Sequence, residues 1–360
     1  MINHDELLAS LRPLFPDTAG VPGIKLIGRY RDAGLNLASR WTLVFLPDMH
    51  LLADVDASTY PKYHFSRNPQ GANLETTLRA LANLRAQRPG ELLVYQLGDL
   101  FDVWRSRTGA TEKLKTDTIA GSYSTVVDLL RSSPPLGVKA RLLAGNHDYV
   151  IHQLPDWQAL RFELISASAP GGGDVLVVHG DAFDWAEQAA PDELQAWAVQ
   201  LASQHDGGTH QFDITDQAAA TAANQKVSAA DEMIGLGLTQ YQDHGLLGAI
   251  ADIAAIGADL AGINIGVDGS TRFFRQAATA ARLLKEHGHD VRVVVIGHTH
   301  SARMVYGNRG DGQRMVLMDC GAWFGKCKFG PTGPDLWAQQ IGVLADNDLR
   351  IYQLGHPLVG

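Results

Sequence analysis

Asp48-Met49-His50, Gly98-Asp99 with Asp102, Gly145-Asn146-His147-Asp148, His179-Gly180-Asp181 and Gly297-His298-Thr299-His300 are short polar clusters rich in metal-binding side chains. Their carboxylate, amide-oxygen and imidazole donors suit Zn²⁺, Mn²⁺ or Fe rather than a soft metal. Asp48 and His50 are two apart, so on an extended chain they face the same way and can chelate one ion. His298 and His300 repeat that spacing, although a turn between them would divide them between two ions. Two ions ~3.5–4 Å apart need a bridging carboxylate, for which Asp99 is the best candidate. Asn146 adds a neutral amide oxygen, which limits the negative charge of the site. On an extended segment His147 points away from Asn146 and is free to act as an acid or as a transition-state donor. Asp102 or Asp148 is suited to orient His147 or a ligand imidazole, since ligating histidines usually donate their other N–H to a carboxylate or carbonyl. Asp181, two residues after His179, is a further carboxylate available for such support. A metal pair held this way can acidify a water and brace both the attacking and leaving oxygens of a phosphoryl group.

Each cluster follows an apolar run: WTLVFLP (41–47), ELLVYQL (91–97), VKARLLA (138–144), DVLVV (174–178) and VRVVVI (291–296). Short aliphatic runs ending in Gly or Asp read as buried strands. Side chains just beyond such strand ends converge at one edge of a sheet, where α/β proteins place ligands. Helical spacing is expected over 4–12, 73–86 and 116–132, the last stopping before Pro134-Pro135. The strand–helix alternation places helices over a sheet. Residues 13–39 read as a Pro/Gly-containing lead-in, within an N-terminal segment of 1–39. The catalytic core is expected over 40–184 and 290–360, interrupted by a helical insertion or cap at 185–289. The helix TRFFRQAATAARLLKEHG in that insertion carries Arg272, Arg275, Arg282 and Lys285, a solvated face or an anion-binding one. The long loop after His50, with Tyr60, Lys62, Tyr63, His64 and Arg67, has the length of a functional or mobile segment. Trp104, Arg105 and Arg107 follow the second cluster and could border the site. After His300, RMVLMDCGAW, QQIGVLADN and DLRIYQL read as further strands, with a turn at Asn347-Asp348 and a second, antiparallel-looking sheet.

The composition narrows the function classes. A chain of 360 residues, 45% hydrophobic and with net charge −9, suits a globular protein and argues against one that tracks a nucleic-acid backbone. Cys320 and Cys327 are too few for a disulfide framework and lack structural-zinc spacing, so a reducing cytoplasm is the simplest setting. The opening MINHDELLASLRPLF has no basic run leading into an apolar stretch, and no secretory leader is expected. GLLGAIADIAAIGADLAGINIGV (245–267) is long enough to span a bilayer. Asp252 and Asp259 inside it favour an amphipathic or core-packed helix over a transmembrane one.

The series DMH, GDLFD, GNHD, HGD and GHTH resembles the calcineurin-like metallophosphoesterase superfamily, whose pattern is D-x-H, G-D-x-x-[DE], G-N-H-[DE], an isolated His before Gly, and G-H-x-H. The resemblance spans residues 48–300 in the family's order. It implies an α+β fold, a two-sheet β-sandwich flanked by helices. It also implies two divalent ions (Mn, Fe or Zn), one held by Asp48, His50, Asp99 and His300, the other by Asp99, Asn146, His179 and His298. His147 would be the catalytic histidine near the leaving group. The implied activity is hydrolysis of a phosphomonoester or phosphodiester by in-line attack of a metal-bridging hydroxide. GDLFDVW and VHGD further resemble UDP-2,3-diacylglucosamine pyrophosphatases, which typically carry Arg where this chain has His147 and are shorter. That likeness implies a nucleotide-sugar or lipid diphosphate substrate, with the insertion as its cap. A metal-binding scaffold without catalysis is the contrasting class. The expected partner is a phosphorylated small-molecule or lipid-like substrate; the oligomeric state is left open.

Overall fold

The computed structural model describes residues 1–17, 22–32, 35, 37, 41–53, 71–103, 106, 111–167, 172–186, 189–203, 272–300, 302–323, 326–328, 335–337 and 339–355. Its helices are α1 (His4–Leu11), α2 (Ala72–Gln87), α3 (Glu112–Ser122), α4 (Ser124–Arg131), α5 (Val150–Gln153), α6 (Asp181–Ala186), α7 (Pro191–Ser203) and α8 (Arg272–Glu286). Its strands are β1 (Ile24–Arg31), β2 (Thr42–Leu46), β3 (Leu92–Gln96), β4 (Arg141–Leu142), β5 (Phe162–Ile165), β6 (Asp174–Val178) and β7 (Val291–Ile296). They continue with β8 (Arg303–Asn308), β9 (Arg314–Asp319), β10 (Lys326–Lys328), β11 (Asp335–Trp337), β12 (Gln340–Ala345) and β13 (Asp348–Leu354).

Alternation along the strands builds the layers. Leu43 and Phe45 of β2 turn to a core shared with Val175 and Val177 of β6 and Val293 and Val295 of β7. Val44 and Leu46 turn the other way, onto α1, α2 and α4. Leu176 and Val178 of β6, with Val294 and Ile296 of β7, face α7 and α8 instead. Strands covered on both faces must be apolar throughout, which is why these runs do not alternate with polar residues. The result is an α+β architecture of two mixed sheets packed face to face, ordered β1-β13-β12-β2-β3-β4 and β5-β6-β7-β9-β8, with helices outside each. A two-stranded ribbon, β10-β11, stands apart from them.

The parallel strands set up the site. β2, β3 and β4 run parallel in the first sheet, and β6, β7 and β9 run parallel in the second. Four of the polar clusters begin within a few residues of the carboxyl ends of β2, β3, β6 and β7, and the GNHD cluster follows β4.

Several sequence expectations change. The lead-in contains β1, which pairs antiparallel with β13. The expected helix over 116–132 is two helices, because Tyr123 leaves helical geometry at φ −122°, ψ 35° after the weak helix formers Gly121 and Ser122. Of the run 138–144 only Arg141–Leu142 is strand. Val138 and Ala140 donate their N–H groups to the carbonyls of Leu129 and Leu130 at the end of α4 (2.7 and 2.6 Å), which removes them from the sheet. The C-terminal strands do not form a separate antiparallel sheet. β12 and β13 extend the first sheet, and β9 joins the second between β7 and β8. The last hairpin turns at Asp346-Asn347 rather than Asn347-Asp348. Both residues are left-handed (φ 51° and 57°), as a two-residue turn between twisted strands requires. Of the expected insertion, α7 and α8 are described and pack against one another. Residues 204–271, including the apolar stretch 245–267, lie outside the described residues. Among the described helices none is long and apolar enough to cross a membrane.

Candidate metal centre

The loops that carry the donors are zipped to one another by backbone hydrogen bonds. The Asp99 carbonyl accepts from Met49 N (3.0 Å) and His50 N (2.8 Å), and Leu51 N donates to Leu100 O (2.9 Å). Gly297 N donates to His179 O (3.0 Å), tying the two second-sheet loops together. Four donor residues adopt left-handed backbone: His50 (φ 45°), Asp99 (φ 50°), His298 (φ 71°) and His300 (φ 55°). Non-glycine residues rarely do so, and clusters of such strain mark functional sites. The DMH segment is therefore not the extended chain that the two-residue spacing suggested. Gln96 helps set the Asp99 turn: its side-chain amide donates to Gly98 O (2.7 Å) and accepts from Gly98 N (3.2 Å). Gly98 is itself at φ +102°, and a Cβ there would meet His179 Nδ1 at 2.6 Å. At Gly145 a Cβ would collide with the Asp99 carboxylate. The close approach of backbone to the Asp99 carboxylate explains this glycine.

Two sets of donors meet at Asp99. In one set His300 Nε2 lies 3.2 Å from Asp48 Oδ2 and 3.1 Å from His50 Nε2, and His50 Nε2 lies 3.4 Å from Asp99 Oδ2. In the other, His179 Nε2 lies 3.3 Å from the same Asp99 Oδ2 and 3.0 Å from Asn146 Oδ1, which is 3.2 Å from His298 Nδ1. The other Asp99 oxygen accepts from His147 N (2.9 Å). That bond fixes the carboxylate so that Oδ2 stands between the two sets. His298 and His300 are thus split between them, the alternative that the sequence left open.

Proton bookkeeping tests whether these groups fit a metal. His179 Nδ1 lies 2.8 Å from Leu97 O, an acceptor, so Nδ1 carries a proton. In neutral His179 the Nε2 lone pair then faces two oxygen acceptors. His50 repeats the pattern: Nδ1 is 3.2 Å from Asp102 Oδ2, and its Nε2 faces Asp99 and His300. Asp48 Oδ1 is buried without a hydrogen-bond partner. Converging lone pairs in a dry site repel unless a cation sits among them. A cation in each donor set would satisfy that requirement, and the groups present fit one.

The electrostatics agree in sign. Burial opposes charge on His179, but Asp99 and Asp48 outweigh it and raise the imidazole well above its ordinary value. Burial likewise opposes ionisation of Asp99, yet His179 and His147 hold its carboxyl well below the usual range. A pocket that pulls a proton onto His179 so strongly is a pocket that attracts positive charge. Burial, reinforced by repulsion from His147, lowers His50 to about 4, leaving its Nε2 lone pair available at neutral pH.

Asp102 does more than the sequence indicated. Its Oδ1 lies 3.0 Å from His147 Nδ1 while its Oδ2 takes His50 Nδ1, so one carboxylate orients both imidazoles. Asp148 does not orient an imidazole through any observed contact. It accepts from Gly145 N (2.8 Å) and Phe101 N (3.1 Å), and burial together with Asp99 pushes it up to about 7. Asp181 pairs with Arg161 (3.0 Å), whose guanidinium also donates to Ala144 O (3.1 Å) and lies over the Tyr149 ring. Three residues near the site escaped sequence reading. Phe273, in the first turn of α8, meets the His298 ring edge-on at 6.1 Å. Arg161 has no local signal. Asp319 ends an apolar run, much as Asp48 and Asp99 follow theirs. Tyr60 to Arg67, Trp104, Arg105 and Arg107 lie outside the described residues.

Residues 42–219 match the model of the calcineurin-like phosphoesterase family. The chain carries a calcineurin-like phosphoesterase domain. The GHTH cluster lies beyond the matched residues, and the fold brings it to the same site. The chain is also 30% identical over 131 residues to a UDP-2,3-diacylglucosamine hydrolase of Nitrosococcus oceani. That similarity covers 35% of this chain and 48% of the relative, so it spans about half of the relative's length.

Proposed function

We propose that the protein is a dinuclear metal-dependent phosphoesterase acting on a phosphomonoester or phosphodiester. The observation that carries this reading is Asp99 Oδ2, placed 3.4 and 3.3 Å from the imidazoles of two separate donor sets. Asp48, His50, Asp99 and His300 would hold one ion, and Asp99, Asn146, His179 and His298 the other. When bound, the ions, for which Mn, Fe and Zn are the candidates, supply an acidified water and Lewis-acid bracing of the phosphoryl oxygens. Asp102 accepts the Nδ1–H of His147, which leaves Nε2 as the atom that hands a proton to the leaving oxygen. His147 is buried and His300 is about a third exposed, so among the described residues the His300 side of the centre is the more open one.

The test is a hydrolysis screen with Mn²⁺, Co²⁺ or Zn²⁺ and with a chelator, over phosphomonoesters, cyclic nucleotides, nucleotide-sugar diphosphates and lipid diphosphates. Metal-dependent turnover of any of them supports the reading. Two bound ions with no turnover of any class would instead indicate a metal-binding scaffold. A second reading, supported by the relative from Nitrosococcus oceani, is cleavage of a nucleotide-sugar or lipid diphosphate; preference for that class over simple esters would select it.

A further inference from the structure

The segment from Asp319 to Trp323 touches both halves of the site without supplying a donor. Trp323 N donates to Asp48 O (2.8 Å), and Ala322 bridges Asp48 in parallel register. Cys320 N donates to Ile296 O (2.9 Å), just before the GHTH loop. The Asp319 side chain is fully buried. Its Oδ1 accepts from Gly321 N (3.2 Å), and its Oδ2 accepts from the Thr299 hydroxyl and lies 3.4 Å from Arg303 Nε. Thr299 sits between His298 and His300, both of which have left-handed backbone, and Thr299 N reaches back to Gly297 O (2.8 Å). Two successive histidines could spend themselves on one ion. The Thr299 anchor holds the middle of the loop down, and the histidines on either side diverge to different donor sets.

We propose that Asp319 is a positioning residue that, through Thr299, divides His298 and His300 between the two donor sets. Gly321 N takes Oδ1, and Arg303, opposite Asp319 in the β8–β9 register, sets its positive charge beside Oδ2, the oxygen that accepts from Thr299. The inference rests on the two-metal reading above. Partners of this kind typically cost about 10–100-fold in metal affinity when removed.

Co²⁺ binding separates this role from a structural one. Wild type, Asp319→Asn, Thr299→Val and Thr299→Ser are titrated with Co²⁺ by calorimetry and by visible absorption, with folding checked by circular dichroism. The valine variant keeps the size of threonine on a half-buried loop and covers the case in which Asp319→Asn does not fold. Thr299→Val is expected to weaken at least one of the two Co²⁺ sites about 10–100-fold and to change the cobalt spectrum. Thr299→Ser, which keeps the hydroxyl, is expected to restore both. Two sites of unchanged affinity and spectrum in Thr299→Val would overturn the inference while leaving the metal centre standing. Failure of wild type to bind Co²⁺ would overturn the metal reading and this inference with it.

Discussion

Asp102→Asn probes the geometry most sharply, because one carboxylate serves two imidazoles with its two oxygens, at 3.2 Å from His50 Nδ1 and 3.0 Å from His147 Nδ1. An amide has a single oxygen and an NH₂ group. One imidazole keeps an acceptor, and the other meets a donor. If His50 loses, its proton shifts to Nε2 and blocks the lone pair aimed at Asp99 and His300. If His147 loses, nothing stabilises the cationic form it needs as an acid. A hydrogen bond to a charged group contributes about 1.5–3 kcal/mol, equivalent to about 10- to 150-fold in rate. The surviving bond, now to a neutral acceptor, falls to roughly half its strength. Together these put the loss in kcat on the order of 10²–10³-fold. The assay is steady-state hydrolysis of bis-para-nitrophenyl phosphate with saturating Mn²⁺, alongside metal content by elemental analysis. The two cases differ there: loss at His50 lowers metal content, and loss at His147 leaves it intact. A kcat within about threefold of wild type at equal metal content would refute the shared-carboxylate reasoning.

His147→Gln is expected to keep two ions per chain and lose about 10²–10⁴-fold in kcat, the usual worth of general acid assistance; an unchanged kcat removes His147 from the mechanism. Asp99→Asn should instead disrupt the centre, so full metal occupancy by elemental analysis would contradict its bridging position. Metal affinity should rise with pH, because the raised pKa of His179 keeps a proton on the electron pair that an ion needs until the pH exceeds its folded value. Calorimetric titration with Mn²⁺ at about pH 6 and 8 should show tighter binding at the higher pH with proton release, and equal affinities would argue that His179 is not a ligand. Gly145→Ala should weaken metal binding, since its methyl group must displace the Asp99 carboxylate; wild-type Mn²⁺ affinity in that variant would show that the loop yields.

How much of this could be read from the chain follows from where the information resides. The candidate donors stand out because four of their clusters lie just past β2, β3, β6 and β7, whose residues are largely buried. The run before Asn146 is the exception, with exposed Lys139 and Arg141. The division of His298 and His300 was not legible, because it depends on left-handed backbone at both positions and on Asp319, some twenty residues further along. Sheet membership failed for a related reason. The Leu, Val and Ile pattern of β9, β12 and β13 shows that they are strands, but their partners are fixed by pairing across the whole chain, including β1, whose half-exposed residues carry little apolar signal. Asp102, Asp148 and Asp181 make the limit plain. All three are carboxylates within or just after a motif cluster, and spacing alone gave each the same role. Only the fold separates them: Asp102 meets two imidazoles, Asp148 meets two backbone N–H groups, and Asp181 meets Arg161, the residue just before β5. Motifs can therefore nominate a set of candidate ligands, while the part each neighbouring carboxylate plays must be found by asking what each buried oxygen accepts.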